Sequence, residues 1–134
     1  MINNDVVRQN APHPLLLESR QVASNQVLLT YDQAADLASA TEISNYWIRS
    51  NMGINGVASL GMSEALTSTN AITPDNGMIT PYDPTKRVYL MTFRTNVIRG
   101  VLYIVLPCFV NLEGRTGFRG ENWGPFSKNG FIGL

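Results

Sequence analysis

The stretch QVLLTYDQAADLASATEISNYWI, residues 26–48, is the strongest indication of the fold class of this chain. It opens with alternating apolar residues, so Val27, Leu29 and Tyr31 fall on one face by the two-residue period of a strand. It closes on a second run, NYWI, in which Tyr46 and Ile48 again share a face. Two strands separated by so short a segment predict a chain that crosses from one sheet to another.

The segment between these strands, DQAADLASATEIS, is the only part of the chain with some helical character. Asp36 is a candidate N-cap for it. Because the segment is too short for a stable isolated helix, we expect one or two turns that pack against the sheets. Leu37, Ile43 and Tyr46 are predicted to fill the end of the core, with the Tyr46 hydroxyl bonded to a backbone group.

Further short strands are predicted near residues 15–22, 57–62, 87–93 and 101–110. Residues 67–85 contain three prolines and predict a long polar loop. About seven short strands separated by turn residues indicate an all-β, antiparallel β-sandwich.

Composition narrows the function classes. The chain has 134 residues, enough for one core, and its ten basic and ten acidic residues cancel. A neutral balance disfavours nucleic-acid binding and gives no attraction to an anionic membrane. The longest apolar run, residues 101–110, is shorter than the ~20 residues of a membrane-spanning helix. No signal peptide is visible, and the single cysteine, Cys108, is predicted to be a buried free thiol.

A family pattern runs through the same segments. A Pro-led first strand, HPLLLESRQV, comes before the motif D-x-x-S-A-x-x-x-x-N-Y, and VLYIVLPCFVNLEGRTG matches a core strand with its closing turn. The residues at motif positions are Asp36, Ser39, Ala40, Asn45, Tyr46, Asn111 and Gly114. On these residues, the chain resembles the bacterial Ig-like domains of S-layer and other surface proteins.

This resemblance implies an Ig-like β-sandwich at residues 14–117, with an N-terminal arm at 1–13 and a C-terminal aromatic and glycine-rich extension at 118–134. Residues 50–86 match the family only in general plan. Such sandwiches host many roles, so the resemblance says little about function.

Catalytic or metal-binding groups are sparse. The single histidine, His13, lies in the predicted arm, which is a poor place for a catalytic imidazole. Asp32, Asp36, Asp75 and Asp83 lack the dense alternation of a calcium loop and are expected to make caps and turns. We therefore predict no catalytic residue, no metal site and no cofactor.

The tail segment GRTGFRGENWG allows two interpretations. Arg115 and Arg119 could hold an anion, or Phe118 and Trp123 could stack on a sugar ring. The alternative that we favour is that the aromatic residues pack on the domain or on a neighbour. Tyr82, in the long loop, is a further candidate for sugar stacking.

The run VLYIVLPCFV is apolar on both faces. Leu102, Ile104 and Leu106 lie on one face, and the other carries Val101, Tyr103 and Val105. An antiparallel sheet with one solvated face should be polar on that face, so the second face must be covered by the tail or by another subunit. The predicted interaction residues are Val101, Tyr103, Val105, Phe118, Trp123, Phe126 and Phe131.

Together these features predict a non-enzymatic structural or display module that assembles. The predicted settings are a phage virion, as a capsid decoration or tail accessory protein, and a bacterial surface layer. The partners are then sister subunits or a larger lattice, and the location is the virion or the extracellular surface. A carbohydrate-binding module that uses Tyr82 and Trp123 on surface glycans is the alternative.

Overall fold

The computed structural model describes residues 11–134, so most of the predicted arm, residues 1–10, lies outside the described residues. The described part contains eight strands, one four-residue helix and one 3₁₀ helix. In chain order these are β1 (Leu16–Ala23), β2 (Gln26–Tyr31), α1 (Leu37–Ala40), the 3₁₀ helix (Ile43–Asn45), β3 (Tyr46–Ser50), β4 (Leu60–Gly61), β5 (Gly77–Pro81), β6 (Val88–Phe93), β7 (Leu102–Pro107) and β8 (Gly130–Ile132).

The strands form two four-stranded sheets, in the orders β1-β2-β6-β5 and β4-β3-β7-β8. Every pair is antiparallel except β3 with β4, which is parallel and two residues long. The first sheet has the order of strands A, B, E and D of an immunoglobulin constant-type sandwich, and β3-β7-β8 has the order of C, F and G. The predicted all-β sandwich is confirmed, and among the described residues the β3–β4 pair and a single bridge between Glu18 and Lys128 are parallel.

Residues 26–48 cross between the sheets as predicted, with β2 in the first sheet and β3 in the second. Asp36 caps α1, because its carboxylate accepts a hydrogen bond from the Ser39 N–H at 2.9 Å. Ile43 is buried in the core, as expected. The prediction for Leu37 is wrong: α1 is a single turn that buries only Ala40, and Leu37 points to solvent.

The main core lies between the two sheets and contains four fully buried tyrosines. Tyr31 and Tyr46 bond through their hydroxyls at 2.8 Å, and the Tyr46 hydroxyl also donates to the Ala40 carbonyl at 2.7 Å. The Tyr89 hydroxyl donates to the Lys86 carbonyl at 2.9 Å, and that of Tyr103 accepts from the Ile98 N–H at 3.0 Å. Each ring is therefore buried without leaving its hydroxyl unpaired, which would be costly.

Four predicted element bounds need correction. The strand expected at 101–110 is β7, which ends at Pro107. The strand expected at 57–62 is shortened to β4, because Val57 and Ala58 lie in a turn, in which the Ala58 N–H donates to the Asn55 carbonyl. Their side chains are buried in the core. The loop expected at 67–85 contains β5, an edge strand that ends at Pro81, where a missing N–H is tolerated. The predicted extension contributes β8, which pairs with β7.

Candidate interaction surface

Three of the predicted interaction residues are not at the surface. Val101, Tyr103 and Val105 lie in the main core, where Tyr103 and Val105 have no exposed area. Both faces of this strand are apolar, so the pattern alone could not show which face points inward. The outward-facing side chains of β7 are Leu102, Ile104 and Leu106.

The outward face of the second sheet is covered by the chain itself. Trp47, Leu60, Leu106 and Cys108 form a second buried cluster there. Side chains from the segment after β4 and from the tail pack against it, namely Leu66, Ala71 and Trp123, together with Ile104 of β7. The second face is therefore covered, as expected. Of the two predicted alternatives, the tail contributes Trp123, and the segment after β4, which was not predicted to do so, contributes Leu66 and Ala71.

Polar contacts fix this covering segment in place. The Trp47 indole N–H donates to the Thr67 carbonyl at 2.9 Å and to the Asn70 side-chain oxygen at 2.8 Å. One guanidinium nitrogen of Arg49 lies within hydrogen-bond distance of the carbonyls of Gly61, Met62 and Glu64. Trp47 and Arg49, which lie two residues apart on the same face of β3, thus hold the segment against the sheet.

The four tail aromatics differ in their surroundings. Phe118 stacks on His13, with ring centroids 4.1 Å apart, and Phe131 stacks on Tyr103 at 5.4 Å. Trp123 is half-buried against the second cluster. Phe126, in contrast, is 94% exposed. Whether Phe118, Trp123 or Phe131 also contacts a partner stays a prediction, whereas Phe126 is free to do so.

Two adjoining cavities open on the outward face of the second sheet, and both are lined by Leu66, Cys108 and Phe109. The first measures about 400 Å³ and also reaches Trp47 and Ser68. The second measures about 580 Å³ and extends to a polar rim that includes Arg49, Arg119 and Glu121. We call the first one the Trp47 pocket. An apolar floor with a polar rim is typical of a binding site.

Phe109 separates the two cavities in a backbone conformation that is unusual for a bulky residue. Its φ is +66°, in the left-handed region, and its side chain is 42% exposed. The ring meets Trp47 edge to face, with centroids 6.3 Å apart. Such strain persists only where surrounding contacts impose it, and it is concentrated at functional sites. Here the Phe109 N–H bonds the Gly120 carbonyl at 2.9 Å.

Cys108 is a buried free thiol, as predicted, with 8% of its area exposed. Burial raises the pKa of its thiol to about 11, and the nearby Glu121 carboxylate adds to the effect. The thiol is therefore neutral at physiological pH and is a poor nucleophile. Among the described residues, no three His, Cys, Asp or Glu side chains are grouped to hold a metal ion.

One end of the sandwich carries an apolar surface that the sequence analysis did not identify. The 51–56 loop, the 94–101 loop and the C-terminal residues meet there, joined by bonds such as Gly133 N–H to Val101 and Leu102 N–H to Asn51. Large side chains exposed at this apolar end are Val22, Met52, Ile54, Ile98, Ile132 and Leu134. Residues 51–60 carry no charge, and the charged residues of the 94–101 loop are the exposed Arg94 and Arg99.

Tyr82 lies at the opposite end, in the turn after β5, and is 60% exposed. Asp83 in the same turn accepts the Thr85 N–H at 2.9 Å, so its carboxylate shapes the turn. The structure does not bring Tyr82 together with Trp123, which packs on the outward face of the second sheet. No helix of the described residues is long and apolar enough to cross a membrane.

Sequence reasoning missed the Trp47 pocket and the apolar end. The pocket joins β3, the segment after β4 and the residues after β7, which are distant in sequence. Phe109 lies inside the run predicted as one strand at 101–110, so nothing local marked it as part of a pocket. The apolar end is formed by loops whose scattered Met and Ile residues form no periodic pattern.

The comparisons with known proteins bear on the fold. No known protein-family profile matches the chain, and no curated protein matches it in sequence. Among solved structures, it is similar to the S-layer protein rSbsC(31-844), with a TM-score of 0.60 and 13% identity over 90% of this chain and 13% of that one. It is also similar to surface layer protein SbsC, domains 1-6, with a TM-score of 0.59 and 13% identity over 84% of this chain and 14% of the other. This chain spans about one seventh of those chains, and it shares the fold of one segment of a surface-layer protein.

Proposed function

We propose that the chain is a non-enzymatic structural module that associates with copies of itself or with a larger surface lattice. The observation that carries this proposal is the apolar end. Exposed Met52, Ile54, Ile98 and Leu134 come from three separate parts of the chain that hydrogen bonds join at one end of the sandwich. Large apolar side chains exposed together at one end of a folded domain are typical of a protein–protein contact.

The chemistry of the buried groups supports the same conclusion. The ionisable groups with raised pKa values are core tyrosines and Cys108, and the tyrosine hydroxyls hold backbone or side-chain partners inside the sandwich. Asp36 and Asp83 shape local turns. These side chains stabilise the fold, which is what a structural module requires.

The proposal includes both predicted settings, the bacterial cell surface and the virion, because each uses compact modules that contact a lattice. Similarity to S-layer structures favours the surface layer. In that setting, the module lies outside the cell and its partners are proteins.

Sedimentation velocity of the chain over a wide concentration range tests the proposal. We expect reversible association that weakens when Ile54→Ser and Leu134→Ser are combined, with the exposed Leu37→Ser as a control at the opposite end. A chain that stays monomeric at the highest concentration, and forms no array by electron microscopy, would refute the proposal.

Sugar binding remains a second candidate, because the Trp47 pocket and the cavity beside it offer an aromatic wall at Phe109 and a polar rim. A glycan array would detect it. Binding that disappears in Phe109→Ala and persists in Tyr82→Ala would support the cavity as the sugar site. The reverse pattern would place the site at Tyr82.

A further inference from the structure

We propose that Phe126 of one copy inserts into the Trp47 pocket of a second copy and thereby joins the two copies. The inference rests on the proposed self-association and names a surface on each side of it. It uses surfaces other than the apolar end, so the two contacts can be tested separately.

Phe126 is presented on a rigid turn. The Ser127 N–H donates to the Gly124 carbonyl at 3.0 Å, and the Gly124 N–H donates to the Ser127 hydroxyl at the same distance. Pro125 fixes the backbone between them. The side chain of Phe126 is nevertheless 94% exposed, so the turn holds a large apolar group in water without packing it on its own domain.

Both ends of this turn are anchored to the sandwich. On one side, the fully buried Asn122 side chain bonds the Pro14 carbonyl and both backbone groups of Val110. On the other side, Lys128 exchanges backbone bonds with Leu17 and Ser19 of β1. A group held this firmly loses little conformational freedom on binding, which favours its use as an anchor.

The Trp47 pocket has the size and lining for a benzyl group. A cavity of about 150 Å³ lined by apolar side chains can hold a benzene molecule, and this pocket measures about 400 Å³. Trp47, Leu66 and Phe109 provide apolar and aromatic walls, so an inserted ring could make edge-to-face contacts.

A charge of opposite sign lies beside each of the two surfaces. Lys128, two residues beyond Phe126, is exposed. The Glu42 carboxylate lies at the pocket's margin, where it accepts a hydrogen bond from Ser44, a lining residue, at 2.9 Å. Each copy carries both Phe126 and the pocket, so the insertion can be mutual, in a two-fold dimer, or can repeat from copy to copy in one direction.

Sedimentation velocity of three variants of the full chain tests the contact. Phe126→Ala removes the anchor, Ser68→Phe fills the pocket from its exposed rim, and Tyr82→Ala removes an exposed aromatic elsewhere as a control. We expect the first two to weaken association roughly 30-fold or more, as for a central anchor residue, and the control to change it by less than about threefold.

Mixing the variants gives a sharper test. Phe126→Ala retains a working pocket, and Ser68→Phe retains a working Phe126. An equimolar mixture should therefore form a one-to-one pair that neither variant forms alone. General loss of surface hydrophobicity would not produce this complementation.

The outcomes separate this inference from the proposed function. Wild-type association that Phe126→Ala or Ser68→Phe leaves unchanged overturns the inference, while the structural module stands. Wild-type chain that never associates overturns both. Sugar binding that Ser68→Phe abolishes, with association unchanged, overturns the inference and assigns the pocket to a glycan.

Discussion

The hydrogen-bonded pair of tyrosines at the crossing between the sheets allows a directional prediction about stability. The Tyr46 hydroxyl has one proton and donates it to the Ala40 carbonyl at 2.7 Å. The bond between Tyr31 and Tyr46, at 2.8 Å, must then carry the proton of Tyr31. The hydroxyls form a chain in which Tyr31 donates to Tyr46 and Tyr46 donates to the backbone.

This direction makes the two Tyr→Phe substitutions unequal. Tyr46→Phe leaves both the Tyr31 hydroxyl and the Ala40 carbonyl buried without this partner, and we expect it to cost about 2–4 kcal/mol. Tyr31→Phe removes one hydrogen bond but leaves the Tyr46 donation intact, so the expected cost is about 0.5–1.5 kcal/mol. In the Tyr46→Phe background, Tyr31→Phe should be neutral or recover about 1 kcal/mol, because it removes an unpaired hydroxyl.

Urea unfolding of the four proteins in this double-mutant cycle, followed by tryptophan fluorescence, measures the free energy of unfolding at a dilution where the chain is monomeric. The two substitutions should be non-additive by about 1 kcal/mol or more. If Tyr31→Phe costs as much as Tyr46→Phe, or if the costs simply add, the proposed proton direction is wrong.

Three further predictions concern other parts of the sandwich. Burial raises the pKa of Tyr89 to about 12, whereas an unfolded tyrosine ionises at pH ~10. The stability that comes from keeping the Tyr89 hydroxyl protonated is therefore complete below pH ~10 and falls as the pH rises toward ~12. A urea midpoint that stays constant up to pH ~12 would contradict this. A Cβ at Gly133 would collide with the Ile98 carbonyl oxygen, so Gly133→Ala should lower the free energy of unfolding by about 2–3 kcal/mol, measured by thermal unfolding. In the control Gly124→Ala the new Cβ meets open space, and stability should change by less than ~0.5 kcal/mol. Equal effects of the two substitutions would argue against the close approach of Gly133 to Ile98. Arg49→Met removes the hydrogen bonds that Arg49 makes to Gly61, Met62 and Glu64. The fluorescence of Trp47 should then shift to the red and be quenched more by acrylamide, and the free energy of unfolding should fall by about 1–2 kcal/mol. An unchanged spectrum would show that Arg49 does not hold the segment.

Local pattern was sufficient where apolar residues recur at every second position between turn residues. In the run at residues 26–31, Val27, Leu29 and Tyr31 are the buried positions, and the predicted strand has the bounds of β2. The capping role of Asp36 and the bond of the Tyr46 hydroxyl to the backbone also followed from short-range chemistry, since their partners, Ser39 and Ala40, lie within ten residues. These features need no knowledge of distant parts of the chain.

Pattern was insufficient for short elements. β5 and β8 have five and three residues, and each is a strand because a longer neighbour, β6 or β7, supplies hydrogen-bond partners. The register of these strands is set by pairing, which no local window of the sequence contains.

The all-β sandwich and its crossing at residues 26–48 can be read from local pattern, because alternation and turn residues act over a few positions. Which face of β7 enters the core depends on long-range packing, since both faces are apolar and the choice rests on what packs over each. Long-range packing also makes the chain cover its own second sheet at Trp47 and leave Phe126 exposed. The candidate surfaces arise from loops brought together by the sandwich, and their position therefore depends on packing.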